Sequence, residues 1–368
     1  MIVNKQIHKT HSKLLLQSGK TLENIELAYE HYGVLNSEAS NAILIFHALT
    51  SNNHVAGKYY KDESKSGWWD VAVGPSKAID TERFFVVCVN VIGGSSGSTS
   101  PASINYKTNK PYALDFPVVT IKDMARATKF VLDYLKIKKL YAVIGGCFGG
   151  FLVMEWLILF PESTQKAIII SATPSTNAYS MALWETLRQA IYFDPNFNNG
   201  NYYNSSYPTK GIGFGRLVGV LLWMSKSVFD KKFGLKLINN SNKPEYKLDP
   251  EFEAQRFMHN ILGNANIGID PNSLLYLTKA IDYFNIERDY GSLTNAFKKV
   301  KTEALLVSYD NDWRYPVEEM EKISKAFYKL GIPVKCRNLH TSFGHGAFIY
   351  DFMNGTNKLI NEFLNTQQ

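Results

Sequence analysis

The sequence predicts an α/β protein: a mostly parallel central sheet with helices on both faces and a helical lid inserted late in the chain. Three observations carry that class. Short apolar runs alternate with segments of helical periodicity through the first half, the alternation resumes near the C-terminus, and one strand runs through a glycine-crowded turn directly into a helix.

Residues 42–46, 84–91, 141–144 and 167–171 read as buried strands, each a brief apolar run with β-branched or aromatic side chains. Residues 120–135 carry apolar positions at helical spacing, and 151–160 continue as a helix out of the glycine turn. From about 173 to 298 the character changes, and aromatic, Asn-rich stretches such as Asp194-Pro195-Asn196-Phe197-Asn198-Asn199-Gly200 separate helical pieces. After this lid, 304–308 is a strand, 317–330 a helix, 334–338 a strand and 347–363 a closing helix. The expected organisation is a core in two parts, 1–172 and 299–368, interrupted by a lid at 173–298.

A chain of 368 residues with 45% hydrophobic content can bury a full core. Its start, Met1-Ile2-Val3-Asn4-Lys5, lacks the apolar stretch of a secretory signal, so a cytoplasmic location is expected. The longest apolar run, 217–224, falls far short of the roughly 20 residues that span a bilayer, so no membrane partner is expected. The net charge of +7 comes from dispersed lysines, without the basic tract that nucleic acid would require. Such a surface is either simply solvated or a weak attractant for an anionic cosubstrate such as a coenzyme A thioester. Cys88, Cys147 and Cys336 have neither paired nor metal-type spacing, so neither a disulfide framework nor a metal site is expected.

Chemistry concentrates where strands end. Gly145-x-Cys147-x-Gly149 has the spacing of a nucleophile elbow, a tight strand-to-helix turn that lifts its central side chain off the sheet. A phosphate cradle would occupy the same place, but neither glycine-rich phosphate pattern fits residues 145–150. After the strand 304–308, the loop Tyr309-Asp310-Asn311-Asp312-Trp313-Arg314 offers two carboxylates; Asp312 is the choice for the acid that orients a histidine, with Asp310 the alternative. After the last strand, His345 stands between Gly344 and Gly346. Nucleophile, acid, histidine is the chain order of α/β-hydrolases, which extends the prediction to an α/β-hydrolase fold. In that architecture the loop after the 42–46 strand and the residue after the nucleophile donate the oxyanion-hole amides, here Leu49 and Phe148. His47 and His54 in the same loop read as shaping it.

The chain resembles the homoserine O-acetyltransferase family over nearly its whole length. The resemblance is carried by His47-Ala48-Leu49-Thr50, Gly67-Trp68-Trp69-Asp70, Asn90-Val91-Ile92-Gly93-Gly94, Asp115-Phe116-Pro117-Val118-Val119-Thr120 and Tyr276-Leu277-Thr278-Lys279-Ala280-Ile281-Asp282. It implies a ping-pong acyltransferase that uses acetyl-CoA as cosubstrate, with no permanently bound cofactor, and passes the acetyl group to the hydroxyl of homoserine or a related small acceptor. Cys147 would carry the acyl group, His345 would act as base and then acid, and Asp312 would hold the imidazole. The lid would supply the acceptor pocket and a homodimer interface. Water instead of an alcohol as acceptor would make the same site an esterase or thioesterase, and a degenerate site would make it a silent homologue.

Three positions depart from the family pattern. Cys147 replaces the usual serine. Met224 stands where the resemblance suggests an arginine for the acceptor carboxylate, with Arg216 or Arg314 as alternative cations. Gly346 replaces the aspartate that would suit an ammonium group.

Overall fold

The computed structural model describes residues 1–240, 243–263, 268–350 and 355–366. Eight strands form the central sheet: β1 (Gln6–Thr10), β2 (Ile25–Tyr32), β3 (Ala42–Phe46), β4 (Phe85–Val89), β5 (Leu140–Gly146), β6 (Thr164–Ile170), β7 (Glu303–Tyr309) and β8 (Val334–Leu339), in the spatial order β1-β2-β4-β3-β5-β6-β7-β8. Strands β3 to β8 run parallel, whereas β1 and β2 join antiparallel at one edge. Every residue of β3 and β4 is buried, which is why these strands read as unbroken apolar runs. β1 alternates half-buried and exposed residues, and β8 is mostly exposed, so the two edges carry His8, Lys9, Lys335 and Arg337. Charge of this kind blunts a sheet edge against pairing with another chain.

Helix α1 (Ile121–Tyr134) starts at a capping box in which the Thr120 hydroxyl accepts from the Asp123 amide and the Asp123 carboxylate accepts from the Thr120 amide. Helix α2 (Phe148–Leu159) is apolar on every side because residues 148–157 are all buried behind β5. The helix expected at 151–160 thus begins three residues earlier, immediately after Cys147.

Among the described residues seven α-helices separate β6 from β7: α3 (Ala178–Tyr192), α4 (Thr209–Trp223), α5 (Lys226–Lys232), α6 (Glu253–Gly263), α7 (Pro271–Asp282), α8 (Ile286–Tyr290) and α9 (Leu293–Phe297). The two ends of this excursion are tied where the Thr176 amide donates to Phe284 O at 2.9 Å and the Ile286 amide to Pro174 O at 3.0 Å. Inside it, the buried Arg188 of α3 pairs with Asp282 of α7 at 2.7 Å. The chain then completes the sheet with β7, α10 (Val317–Lys329) and β8. The closing helix expected over 347–363 is instead a short α11 (Ala347–Tyr350) and a separate α12 (Thr356–Asn365), with 351–354 outside the described residues. Gly355, at φ 89°, precedes α12 and breaks the helical path.

Backbone packs very closely where α2 meets the sheet. A Cβ on Gly149 would sit 2.2 Å from Phe46 O of β3, and one on Gly145 would sit 2.3 Å from Gly149 O. Neither contact can be relieved by turning a side chain, because the obstructing atoms are backbone. Gly149→Ala is therefore expected to destabilise the fold by about 1–3 kcal/mol in urea denaturation. Gly219→Ala in α4, where a Cβ meets nothing within 4 Å, is expected to stabilise by roughly 0.5–1 kcal/mol.

Candidate active site

Strand β5 ends at Gly146, and the next residue, Cys147, adopts φ 55° and ψ −123°. Side-chain-bearing residues rarely occupy this region, and strain of this sort persists only where the surroundings enforce it. The enforcement is visible: the Cys147 amide donates to Ile170 O of β6 at 2.9 Å, and Cys147 O accepts from the Gly150 amide at 2.9 Å. Because α2 starts at once, the thiol sits at the helix N-terminus, 1% exposed.

Asp312 lies in the loop after β7 and His345 in the single turn 344–346 after β8; both are buried. The histidine Nδ1 donates to Asp312 Oδ2 at 2.8 Å. The second carboxylate oxygen accepts the amides of Arg314 and Tyr315, each at 3.0 Å, so the acid is held rigidly by its own loop. Asp310 is elsewhere: it pairs with the exposed His340 and accepts the Thr341 amide at 3.1 Å. The imidazole of His345 lies between Tyr315 (ring centroids 5.1 Å apart) and Trp223 (5.4 Å). Its Nε2 is buried with no hydrogen-bond partner, and the ring acts electrostatically on the Cys147 thiol.

The charges of these groups are coupled. Burial alone pushes the Cys147 thiol up, but His345, the Arg314 guanidinium and the Phe148 amide outweigh it and bring the thiol down to about 7. Burial likewise depresses His345, yet Asp312 and Cys147 outweigh it and raise the imidazole to about 9. Between those values the favoured state is thiolate beside imidazolium.

The Leu49 amide, in the loop after β3, makes no hydrogen bond with another described residue, and the Phe148 amide points to the Cys147 sulfur. His47 fixes the Leu49 loop, with Nδ1 donating to Ala48 O at 2.8 Å and Nε2 accepting the Val91 amide at 3.2 Å. Complete burial holds this imidazole down at about 4, so it stays neutral and structural. Further along, the fully buried Glu30 of β2 accepts from Tyr32 Oη, Asn53 Nδ2, His54 Nδ1 and Tyr59 Oη at 2.7–3.0 Å. Sequence reasoning missed this acid; its one signal is a carboxylate inside a strand whose other residues are mostly apolar.

A cavity of about 680 Å³ opens over Cys147, floored by Leu49 and Thr50 and roofed by α3 and α4. Arg216, Met224 and Arg314 all line it. Arg216 is partly buried and donates to Ile261 O at 3.2 Å. Arg314, 6% exposed, stacks its guanidinium over Trp184 (4.8 Å) and Tyr315 (5.0 Å). Gly346 adjoins the histidine, but a Cβ there would lie 2.7 Å from Trp223 Cε3, so the indole fills the space that a side chain at 346 would need. Trp223 is a second residue that sequence reasoning did not single out. Among the described residues no group of His, Cys, Asp and Glu side chains could hold a metal ion, and no single helix is long and apolar enough to cross a membrane.

A mostly parallel eight-stranded sheet, a strained residue at a strand-to-helix elbow and a histidine–carboxylate pair arriving from later loops define an enzyme of the alpha/beta hydrolase fold, and that family's model matches residues 41–349. Within that class the chain belongs to the homoserine O-acetyltransferase family of acyltransferases. It is 42% identical over 356 residues to a homoserine O-acetyltransferase of Methanobrevibacter ruminantium, covering 96% of this chain and 72% of that protein. The crystal structure of homoserine O-acetyltransferase from Bacillus anthracis superposes with a TM-score of 0.92 at 28% identity, covering 100% of this chain and 99% of that one. The crystal structure of esterase E22 superposes with a TM-score of 0.89, also at 28% identity, covering 99% of this chain and 100% of that one.

The charge coupling has a direct readout. Alkylation of Cys147 by iodoacetamide should rise through a midpoint near pH 7, below the ordinary thiol range of about 8.5. Asp312→Asn removes the charge that keeps His345 protonated, so thiolate loses its partner and the midpoint moves upward. An unmoved midpoint would show that the imidazole does not control the thiol.

Proposed function

We propose that the protein is an acyl-CoA-dependent acyltransferase that passes an acetyl group from acetyl-CoA, through a thioester on Cys147, to the hydroxyl of L-homoserine or a related small acceptor. The observation that carries this reading is the thiol at the elbow, lowered to about 7 beside the buried His345–Asp312 pair.

In the first half-reaction the Cys147 thiolate attacks the acetyl carbonyl, and the Leu49 and Phe148 amides hold the oxyanion. The bond to the CoA sulfur breaks, the departing thiolate takes the His345 proton, and CoA leaves as a thiol. In the second, the now neutral His345 accepts the proton of the acceptor hydroxyl, whose oxygen attacks the thioester. The Cys147 sulfur departs as thiolate and the imidazolium is restored, so the cycle closes with no net proton uptake. Asp312 fixes the tautomer that presents Nε2 to sulfur and stabilises the imidazolium. Cysteine suits the donor, because exchange between two thioesters is nearly even in energy, whereas a serine ester lies downhill from its thioester.

The reading includes a homodimer through the 173–298 segment, supported by the exposed Phe214 and Leu221 of α4. Hydrolysis is the second reading, favoured by the likeness to esterase E22. In that case CoA would appear at one rate whatever alcohol is added; transfer requires the rate to depend on acceptor identity and concentration.

Mixing with acetyl-CoA and measuring intact mass should give a single acetyl adduct that is absent in Cys147→Ala. An undiminished adduct in that variant would move the nucleophile elsewhere, and no adduct in the wild type would leave a silent homologue. Cys147→Ser, with a hydroxyl that the imidazolium cannot ionise at neutral pH, is expected to lower kcat by at least about 100-fold, a loss of the size that general acid–base assistance supplies.

A further inference from the structure

The loop that carries Leu49 is buried although it lies outside helices and strands. Residues 47–49, 53 and 55–57 are all buried. Buried backbone of this kind must find its hydrogen-bond partners in the surrounding structure. Here many of them come from the antiparallel edge of the sheet, where two strands stand between β2 and the elbow strand β5.

Glu30 of β2 is the centre of that support. Its Oε1 accepts from Asn53 Nδ2 at 3.0 Å and Tyr59 Oη at 2.7 Å, and its Oε2 accepts from His54 Nδ1 at 2.9 Å and Tyr32 Oη at 2.8 Å. A carboxylate has about four acceptor positions, so these donors fill it. Three of them, Asn53, His54 and Tyr59, belong to the stretch of chain that follows Leu49. Tyr32 lies two residues along β2 and therefore on the same face; its hydroxyl in turn accepts the amides of Val55 at 2.8 Å and Ala56 at 3.3 Å. Cys88, opposite Glu30 in the register of β2 with β4, donates its thiol to Asn52 O at 3.8 Å. Burial, with Glu30 close by, raises this thiol and the Tyr32 and Tyr59 phenols well above their ordinary values, so all three stay donors.

The support reaches Leu49 through a short piece of chain. Ala48 O accepts from His47 Nδ1 at 2.8 Å and from the Ser51 amide at 3.0 Å, and Asn52 Oδ1 accepts the His54 amide at 2.8 Å. The turn that holds the Leu49 amide is thus fastened at His47 on one side and at residues 52–54 on the other. Oxyanion donors work by being fixed in place before charge develops, and a displaced amide loses that effect.

We infer that Glu30 is a positioning residue for acyl transfer: through Asn53, His54 and Tyr59 its carboxylate holds the 47–59 loop so that the Leu49 amide stays aimed at the developing oxyanion. The role of Leu49 as an oxyanion donor, part of the transferase reading above, is the premise on which this rests. Glu30 acts through the backbone of the loop and not on the reacting atoms.

Glu30→Gln keeps the volume but turns one acceptor oxygen into an amino group that faces two donors, so the network cannot close. Two reagents for the Cys147 sulfur separate positioning from general support. p-Nitrophenyl acetate acetylates it through an oxyanion and needs no CoA site; iodoacetamide alkylates it by displacement at a saturated carbon and forms no oxyanion. Glu30→Gln should slow single-turnover acetylation at least about tenfold, towards the roughly 100- to 1000-fold lost when an oxyanion donor is removed outright. Alkylation should keep its rate and its midpoint near pH 7. A side chain that only supports the fold would lower both reactions together or neither, and either result overturns the inference. Leu49→Pro, which deletes the amide proton, tests the premise separately. Acetylation that falls with Leu49→Pro but not with Glu30→Gln removes Glu30 alone, whereas acetylation untouched by Leu49→Pro removes Leu49 as a donor and the role of Glu30 with it. Should Glu30→Gln fail to fold, Tyr59→Phe decides, since it takes one donor from the exposed end of the network. Acetylation should then slow while alkylation holds, and equal effects on the two, or none, overturn the inference.

Discussion

The site depends on a contact between two stretches of backbone. Helix α2 can start directly behind Cys147 only because Gly145 and Gly149 let its first turn press against β5 and the end of β3, with Phe46 O standing 2.2 Å from where a Cβ on Gly149 would be. That approach forces Cys147 into its strained conformation at φ 55°. The strain is held by hydrogen bonds on both sides of the residue, from its amide to β6 and from Gly150 to its carbonyl. The same turn brings the Phe148 amide and the positive end of α2 to the sulfur. The position of the Cys147 thiol, the approach of the Phe148 amide and part of the thiolate stabilisation thus follow from one piece of packing, and none depends on a flexible side chain.

The electrostatics rest on that geometry. Four ionisable groups meet below the cavity: Asp312 and the thiolate of Cys147 as anions, His345 and Arg314 as cations. Their charges sum to zero in the resting state, which makes it reasonable to bury all four. An isolated charge would be expelled or neutralised at this depth.

Much of this was legible in the sequence because it is written in local pattern. The strands around residues 42–46, 85–89 and 141–144 are unbroken apolar runs, and the elbow is spelled by its glycines. What was not legible depends on tertiary partners. The edge strand Gln6–Thr10 is polar and half-exposed, so its apolar signal is weak, and the antiparallel register with Ile25–Tyr32 supplies its order. The closing stretch reads as one helix because an apolar rhythm lies on both sides of Gly355, whose left-handed φ before α12 leaves no mark in that rhythm. Asp310 and Asp312 look alike as sequence; only the loop amides of Arg314 and Tyr315 distinguish the one that faces His345. Glu30 carries no motif at all, since its four donors come from residues 32, 53, 54 and 59 in a folded loop.

Position 346 shows how a substitution is understood through the residue that answers it. A glycine after the histidine, taken alone, reads as a lost side chain and an enlarged pocket. In the fold the opposite holds: Trp223, at the end of α4, packs at 5.4 Å from the His345 ring and 6.2 Å from Phe348, and its indole edge occupies the volume above Gly346. The pocket there is filled and apolar. A tryptophan at 223 and a glycine at 346 therefore form one steric unit, because the Cβ of a larger residue at 346 would meet the indole. An aromatic wall here lowers the local dielectric around His345, which strengthens the hold of the imidazole on the sulfur. The indole beside Gly346 thus bears on the ionisation of the thiol through the ring that it packs against.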